Sequence, residues 1–139
     1  MQLNPYLNFD GNAEDAFRFY HNVFGGEFFI QKMKDAPGGD NLPEEEKELI
    51  MHVSIKIGND QYLMASDIVR SMGHELFRGN NNYISITTDS REEADRLFDG
   101  LSVNGEIEMP MEDAFWGDYF GSFKDQFGVC WMINFPKSS

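Results

Sequence analysis

The chain has 139 residues, with 24 acidic and 11 basic side chains and a formal net charge of −13. Hydrophobic residues make up 41% and aromatics 14%, which argues against disorder and fits one domain, or two small units sharing a core. A pI near 4.4 argues against nucleic acid, whose phosphates need basic partners, and against anionic membrane surfaces. The one cysteine, Cys130, cannot form an internal disulfide, which fits a reducing, cytoplasmic setting. Met1 to Asp10 lacks the basic and apolar regions of a signal peptide, and no run nears the ~18 apolar residues that span a bilayer.

Tyr6 to Phe9 reads as a short strand ending at Asp10-Gly11. Asn12 is placed to cap a helix, with Glu14 and Asp15 in its first turn. Ala13, Ala16, Phe17, Tyr20, Val23 and Phe24 recur at helical spacing until Gly25-Gly26. Glu27 to Met33 is a second strand. Asp35 to Glu48, with its prolines, glycines and the acids Glu44, Glu45, Glu46 and Glu48, reads as a solvated loop.

Leu49 to Ile57 alternates, with Met51, Val53, Ile55 and Ile57 on one face and Ile50, His52, Ser54 and Lys56 on the other. Gly58-Asn59-Asp60 turns it into a partner strand, Gln61 to Ser66. Asp67 to Asn82 is a connector without periodicity. Tyr83 to Thr88 is again a strand, and Ser90 with Glu93 forms a capping box before the stripe Ala94, Leu97, Phe98 and Leu101. Glu106 to Met111, Tyr119 to Lys124 and Val129 to Phe135 supply three more strands.

The order strand, helix, strand, strand, strand therefore occurs twice. Ala16 and Ala94 lie 78 positions apart, Met64 and Met132 only 68, and the longer loop of the first half accounts for the difference. The expected fold is α+β: two βαβββ modules, about 1–67 and 82–139 with a connector at 68–81, forming a cupped mixed sheet in one cooperative domain.

A duplicated βαβββ unit resembles the vicinal oxygen chelate superfamily, which includes glyoxalase I, bleomycin-resistance proteins and extradiol dioxygenases. Tyr6-Leu7-Asn8-Phe9-Asp10-Gly11-Asn12-Ala13-Glu14, then Phe19-Tyr20 and Phe24-Gly25-Gly26-Glu27, resembles the opening of its PhnB-like subfamily. So does Phe115-Trp116-Gly117-Asp118-Tyr119-Phe120-Gly121-Ser122, followed by Asp125, Phe127-Gly128 and Trp131. The resemblance covers essentially the whole chain. It implies modules that form a cup around a cavity, usually in a homodimer, but no single reaction, since members isomerise, cleave or merely bind their ligands. Some members carry a methyltransferase label, for which this sequence shows no glycine-rich nucleotide loop.

Metal-dependent relatives place His, Glu or Gln on the first and last strand of each module. Here the resemblance puts those sites at Asn4 or Tyr6, at Met64, at Tyr83 and at Met132. None is a histidine or carboxylate, and thioethers are weak ligands for divalent cations such as Zn²⁺, Ni²⁺, Mn²⁺ or Fe²⁺. The methionines read as flexible apolar wall. No metal and no cofactor is expected.

With Leu7, Phe9, Val53, Ile55, Leu63, Ala65, Ile84, Ile86, Trp131 and Ile133 under the helices, the other face lines the cup. It presents Asn8, His52, Ser54, Tyr62, Met64, Tyr83, Ser85, Thr87, Cys130, Met132 and Asn134, and no carboxylate. That mixture suits a small amphipathic ligand; the plain alternative is a solvated sheet face.

Six residues are therefore candidates for ligand binding: Asn8, His52, Met64, Tyr83, Trp116 and Met132. His52, the histidine of that face, is also the catalytic candidate as a general base or a donor to a bound carbonyl; hydrogen-bonded wall is the commoner use of such a residue. Trp116 precedes Gly117 and is a rim or lid candidate, or a packing residue at a dimer seam. His21 and His74 read as surface residues and Cys130 as an inert thiol. The expected function is a metal-free sequestering or carrier protein. The alternative is a lyase, isomerase or oxygenase using His52 and Tyr83 or an unrecognised metal site, and a weaker one is an interaction protein using the acidic loop 35–48.

Overall fold

The computed structural model describes residues 1–137, in two compact units, Met1–Phe77 and Arg78 onward. In the first unit β1 (Tyr6–Phe9), α1 (Ala13–Phe24), β2 (Glu27–Lys32), β3 (Ile50–Ile57) and β4 (Gln61–Asp67) follow one another. The sheet order is β1-β4-β3-β2, with β1 parallel to β4 and the other pairs antiparallel. The second unit repeats this. It contains β5 (Ile84–Thr87), α2 (Arg91–Leu101), β6 (Glu106–Asp113), β7 (Tyr119–Lys124) and β8 (Cys130–Phe135), ordered β5-β8-β7-β6 with β5 parallel to β8. The fold is α+β, with one mixed four-stranded sheet and one long helix in each unit.

Each helix forms because one stripe of it is apolar at 3.6-residue spacing and a sheet face is there to cover it. On α1 that stripe is Ala13, Ala16, Phe17 and Tyr20, all buried. It packs on β3 and β4, where Val53, Ile55, Leu63 and Ala65 are buried as well. Phe17 meets Phe9 and Tyr20 edge-on, with ring centroids 6.2 and 5.4 Å away. On α2, Ala94, Leu97, Phe98 and Leu101 are buried, and Phe98 stands edge-on to Phe123 at 5.0 Å. Trp131, 1% exposed, donates its indole N–H to Asp125 Oδ2 at 2.8 Å. The other oxygen of Asp125 accepts from the Phe127 and Val129 amides, which closes the β7–β8 turn.

The two helices start differently. Ser90 accepts from the Glu93 amide at 3.0 Å, and the Glu93 carboxylate reaches back to the Asp89 amide, a reciprocal arrangement close to the expected capping box. Asn12 makes no side-chain cap bond, and its Oδ1 is buried with no partner among the described residues. Asp67, at the end of β4, replaces it. Asp67 Oδ1 accepts from the Gly11 and Ala13 amides at 3.0 Å each, and Oδ2 from Ile50 at 2.9 Å. One carboxylate thus satisfies the start of α1, the turn before it and the start of β3.

Three further features differ from the sequence reading. Gln31 pairs with His52 but Lys32 pairs with Ile50, so Met51 is the extra residue of a β-bulge. The bulge breaks the period of two, and Ile50, expected beside His52, is buried at 1% exposure. Strand β6 runs on to Asp113, past its expected end at Met111; it carries Pro110 because it is an edge strand. The acidic loop is built of three short 3₁₀ turns, at Met33–Asp35, Gly39–Asn41 and Glu44–Glu46. Three of its acids are engaged: Glu46 is buried and accepts from the amide and hydroxyl of Ser71. Glu44 pairs with Lys47, and Glu48 with Lys32 and Lys34 at 2.6 and 2.8 Å. Those two ammonium groups hold the Glu48 carboxyl at about 2, below its ordinary 4.5.

The internal repeat is visible in the backbone. Gly26 precedes β2 and would place a Cβ 2.1 Å from the Lys56 carbonyl; Gly105 precedes β6 and would place one 2.3 Å from the Lys124 carbonyl. Each is followed by a glutamate paired with that lysine, Glu27 with Lys56 and Glu106 with Lys124. Both units thus need a bare backbone where the second strand meets the third.

Asp67→Ala leaves three amides without their acceptor and is expected to lower unfolding free energy by about 2–4 kcal/mol in denaturant titrations. Asn12→Ala should cost under about 0.5 kcal/mol, because that side chain caps nothing. Burial pushes the Asp67 carboxyl up, against the downward pull of the Ile50, Ala13 and Gly11 amides. The native state therefore takes up this proton at a higher pH than the unfolded chain does. Relative to Asp67→Asn, the wild type is expected to gain stability as pH falls through the raised value toward 3.8, the ordinary one.

Candidate functional site

The residues that alternate with the helix-covered ones form the opposite face of each sheet. In the first unit the pairing register lays Tyr6, Met64, Ser54 and Phe29 in one row across the four strands. Asn8 pairs with Ser66 in the next row, where His52 pairs with Gln31. Tyr6 is 47% and Phe29 55% exposed, whereas His52 and Met64 are half-buried. His52 lies between the two aromatic rings, with ring centroids 5.9 Å from Tyr6 and 6.2 Å from Phe29. The Tyr6 hydroxyl is 3.5 Å from His52 Nδ1, a long contact. Phe29 belongs to this cluster but alternation alone does not single it out, since Glu27 to Met33 carries apolar residues on both faces.

In the second unit the corresponding row is Ser85, Met132, Ser122 and Met109, and the next is Thr87, Asn134 and Phe120 followed by Glu112. Cys130 is buried, and burial pushes its thiol up, so it has no thiolate character. Trp116 is 48% exposed and stands edge-on to Phe120, 5.5 Å between centroids. Its loop is tied down by Asp118, which accepts from the Asn134 side chain at 3.2 Å and the Lys137 amide at 2.9 Å. Trp116 therefore lies beside the row that holds Asn134.

The face was expected to meet no carboxylate. The register of β6 shifts between Ile107 and Met109, and Glu108 accepts a hydrogen bond from the Tyr83 hydroxyl, 2.9 and 3.1 Å to its two oxygens. That bond raises the Tyr83 phenol above its ordinary 10.0. Tyr119 is raised likewise by its bond to Asp95. Tyr83 is thus a donor already engaged, a poorer acid–base group at neutral pH than a phenol pushed down would be.

Tyr6 pairs with Met64, and the residue paired with Met132 is Ser85. Tyr83 lies two positions earlier in the chain. Neither a phenol beside a thioether in the first unit nor a hydroxyl beside a thioether in the second is a donor pair suited to a hard or borderline divalent ion. Among the described residues no group of three or more His, Cys, Asp or Glu stands together in a metal-holding arrangement.

A cleft of about 250 Å³ opens in the first unit, lined by Asn8, Ser66, Asp67, Ile68, His74 and Glu75. Its far wall comes from the connector, which turns at Arg70–Met72 and returns. His74 is exposed, as expected from the sequence, and accepts the Val69 amide on Nδ1 at 3.0 Å. This bond fixes the ring and assigns the proton of the neutral imidazole to Nε2.

The family model described as 3-demethylubiquinone-9 3-methyltransferase matches residues 1–134. The chain belongs to this PhnB-like family. It is 34% identical to Protein YjdN of Escherichia coli K12, over 99% of this chain and 97% of that one. Among solved structures, protein PA1353 of Pseudomonas aeruginosa is 37% identical, covers 99% of both chains and superposes with a TM-score of 0.87. The PhnB protein of Bacillus cereus, 24% identical over 98% of this chain and 100% of its own, has a TM-score of 0.75 and shows the same fold. Two solved members of the glyoxalase/bleomycin resistance protein/dioxygenase superfamily, 18% and 15% identical, share the fold at TM-scores of 0.57. In this PhnB-like chain the words that carry the resemblance are mostly scaffold. Gly11 and Ala13 bind Asp67, Asp118 ties its loop to β8, and Asp125 holds Trp131.

Spectrophotometric titration is expected to show Tyr83 and Tyr119 ionising above the ordinary phenol range. Glu108→Gln should bring one of the two late-titrating phenols back toward 10.0 and leave the other in place.

Proposed function

We propose that this PhnB-like protein binds a small amphipathic molecule on its sheet faces, as a sequestering or carrier protein working in the cytoplasm as a homodimer and without a resident metal. The observation that carries the reading is the cluster of Tyr6, His52 and Phe29, with uncharged Ser54, Met64, Ser66 and Asn8 around it. Partly exposed rings beside thioethers and hydroxyls offer apolar area plus a few hydrogen bonds, the usual make-up of a small-molecule site. Tyr6 and Met64 face each other where a metal-dependent relative would place ligands, which supports binding by contact and not by coordination. Trp116, Met132 and Tyr83 are the corresponding candidates of the second unit. Methyl transfer, named in the family's description, forms no part of the proposal.

The proximity of the Tyr6 hydroxyl to His52 Nδ1 favours a second reading, in which His52 is a general base polarised by that phenol. The two readings separate by substitution. In a binding role, 2-phenylethanol should shift the NMR signals of Tyr6, Phe29 and His52, and Tyr6→Ala or Phe29→Ala should each weaken it about three- to ten-fold. Calorimetry with Zn²⁺, Ni²⁺ and Mn²⁺ is expected to show no stoichiometric tight site; a tight one on the sheet face would overturn the metal-free reading. Under the catalytic reading, His52→Ala abolishes any measured turnover; as a wall residue it would leave the rate nearly unchanged.

A further inference from the structure

We infer that the cleft beside His74 and Glu75 is an ammonium subsite, so that the ligand of the first unit is an aromatic amine or its chemical equivalent. The inference rests on the proposed binding face and adds the polar end of the molecule. Asn8 and Ser66 are paired across β1 and β4, and both line the cleft. Asn8 lies two residues beyond Tyr6 on the same strand, which puts the cleft and the ring cluster about 7 Å apart along one face. A molecule of one ring and a short chain spans that distance.

The lining has the electrostatics for a cation. It holds two carboxylates, Asp67 and Glu75, and no lysine or arginine. Asp67 is 4% exposed and its oxygens are taken by the Gly11, Ala13 and Ile50 amides. It therefore sets a negative potential without being an open partner. Glu75 is exposed and is the carboxylate a ligand can reach. Arg70, on the same connector, is paired with Asp10 at 2.5 Å and so is held by another acid. His74 presents Nε2–H to a hydroxyl or carbonyl of the ligand, because its Nδ1 is used by Val69. Asn8 and Ser66 supply further neutral acceptors. The net charge of −13 draws cations toward the whole chain and repels carboxylates.

Three probes of equal size decide the question: phenethylamine, 2-phenylethanol and phenylacetate, titrated into the ¹⁵N-labelled full chain. Phenethylamine is expected to move the signals of both the Tyr6, Phe29 and His52 cluster and the Asn8, Ser66, His74 and Glu75 cleft. It should bind about two- to five-fold more tightly than 2-phenylethanol at low salt, with the advantage shrinking as salt is added. Phenylacetate should bind most weakly. Glu75→Gln should remove the amine's advantage over 2-phenylethanol at low salt. Equal affinity for amine and alcohol, or unmoved cleft signals while the cluster responds, overturns the subsite and leaves the binding face standing. If no probe moves the Tyr6 and His52 signals, the binding face itself falls, and the subsite with it.

Discussion

The Asp67 carboxylate is shared among the Gly11, Ala13 and Ile50 amides, and the geometry of the first unit depends on that sharing. A helix N-terminus leaves amides unsatisfied, and a strand that starts beside it has the same need. One ionised side chain at 4% exposure meets both. Burial of the charge is costly, which is why the carboxyl is pushed up, and the three amides offset that cost. The arrangement fixes the end of β4 against the start of α1. It thereby sets the strand neighbours Asn8 and Ser66 and the wall of the cleft that Asp67 itself helps to form.

With the helix side of each sheet taken up by packing, the proposed site falls on the other side, and the two units have furnished it differently. In the first, His52 stands between Tyr6 and Phe29 with hydroxyl, amide and thioether neighbours. In the second, Tyr83 is tied to Glu108 and Trp116 stands beside Phe120. Duplication of the backbone is kept where glycine meets the third strand, at Gly26 and Gly105, while the face chemistry has diverged. A family likeness over residues 1–134 therefore describes the frame, and the ligand has to be argued from each face separately.

Most of the frame is legible in the amino-acid order, because its signals are local. The stripes of α1 and α2, the Ser90–Glu93 cap and the alternation that puts His52 opposite Val53 and Ile55 all lie within one turn or one strand. The features that escape it depend on partners far along the chain. Asp67 acts on residues 56, 54 and 17 positions away, and the bulge at Met51 exists only as a mismatch between β2 and β3. Glu108 reads as one more acid on an exposed strand until the register of β6 shifts and brings it to Tyr83. His74 is exposed, as the sequence leads one to expect, but its place beside Asn8 and Ser66 depends on a connector without periodicity.

The net charge of −13, the period of each element and the apolar set that must be buried are properties of the amino-acid order alone. They determine that two α+β units form and, where a strand alternates cleanly, which of its faces is turned inward. Tertiary structure alone decided that Asp67 and not Asn12 caps α1, that Ile50 turns inward, and that His74 and Glu75 join Asn8 and Ser66 around a cleft. The reason is the range of the forces involved. Hydrophobic period acts between neighbours three or four positions apart and leaves a pattern. A buried amide accepts whichever oxygen the fold delivers and leaves none.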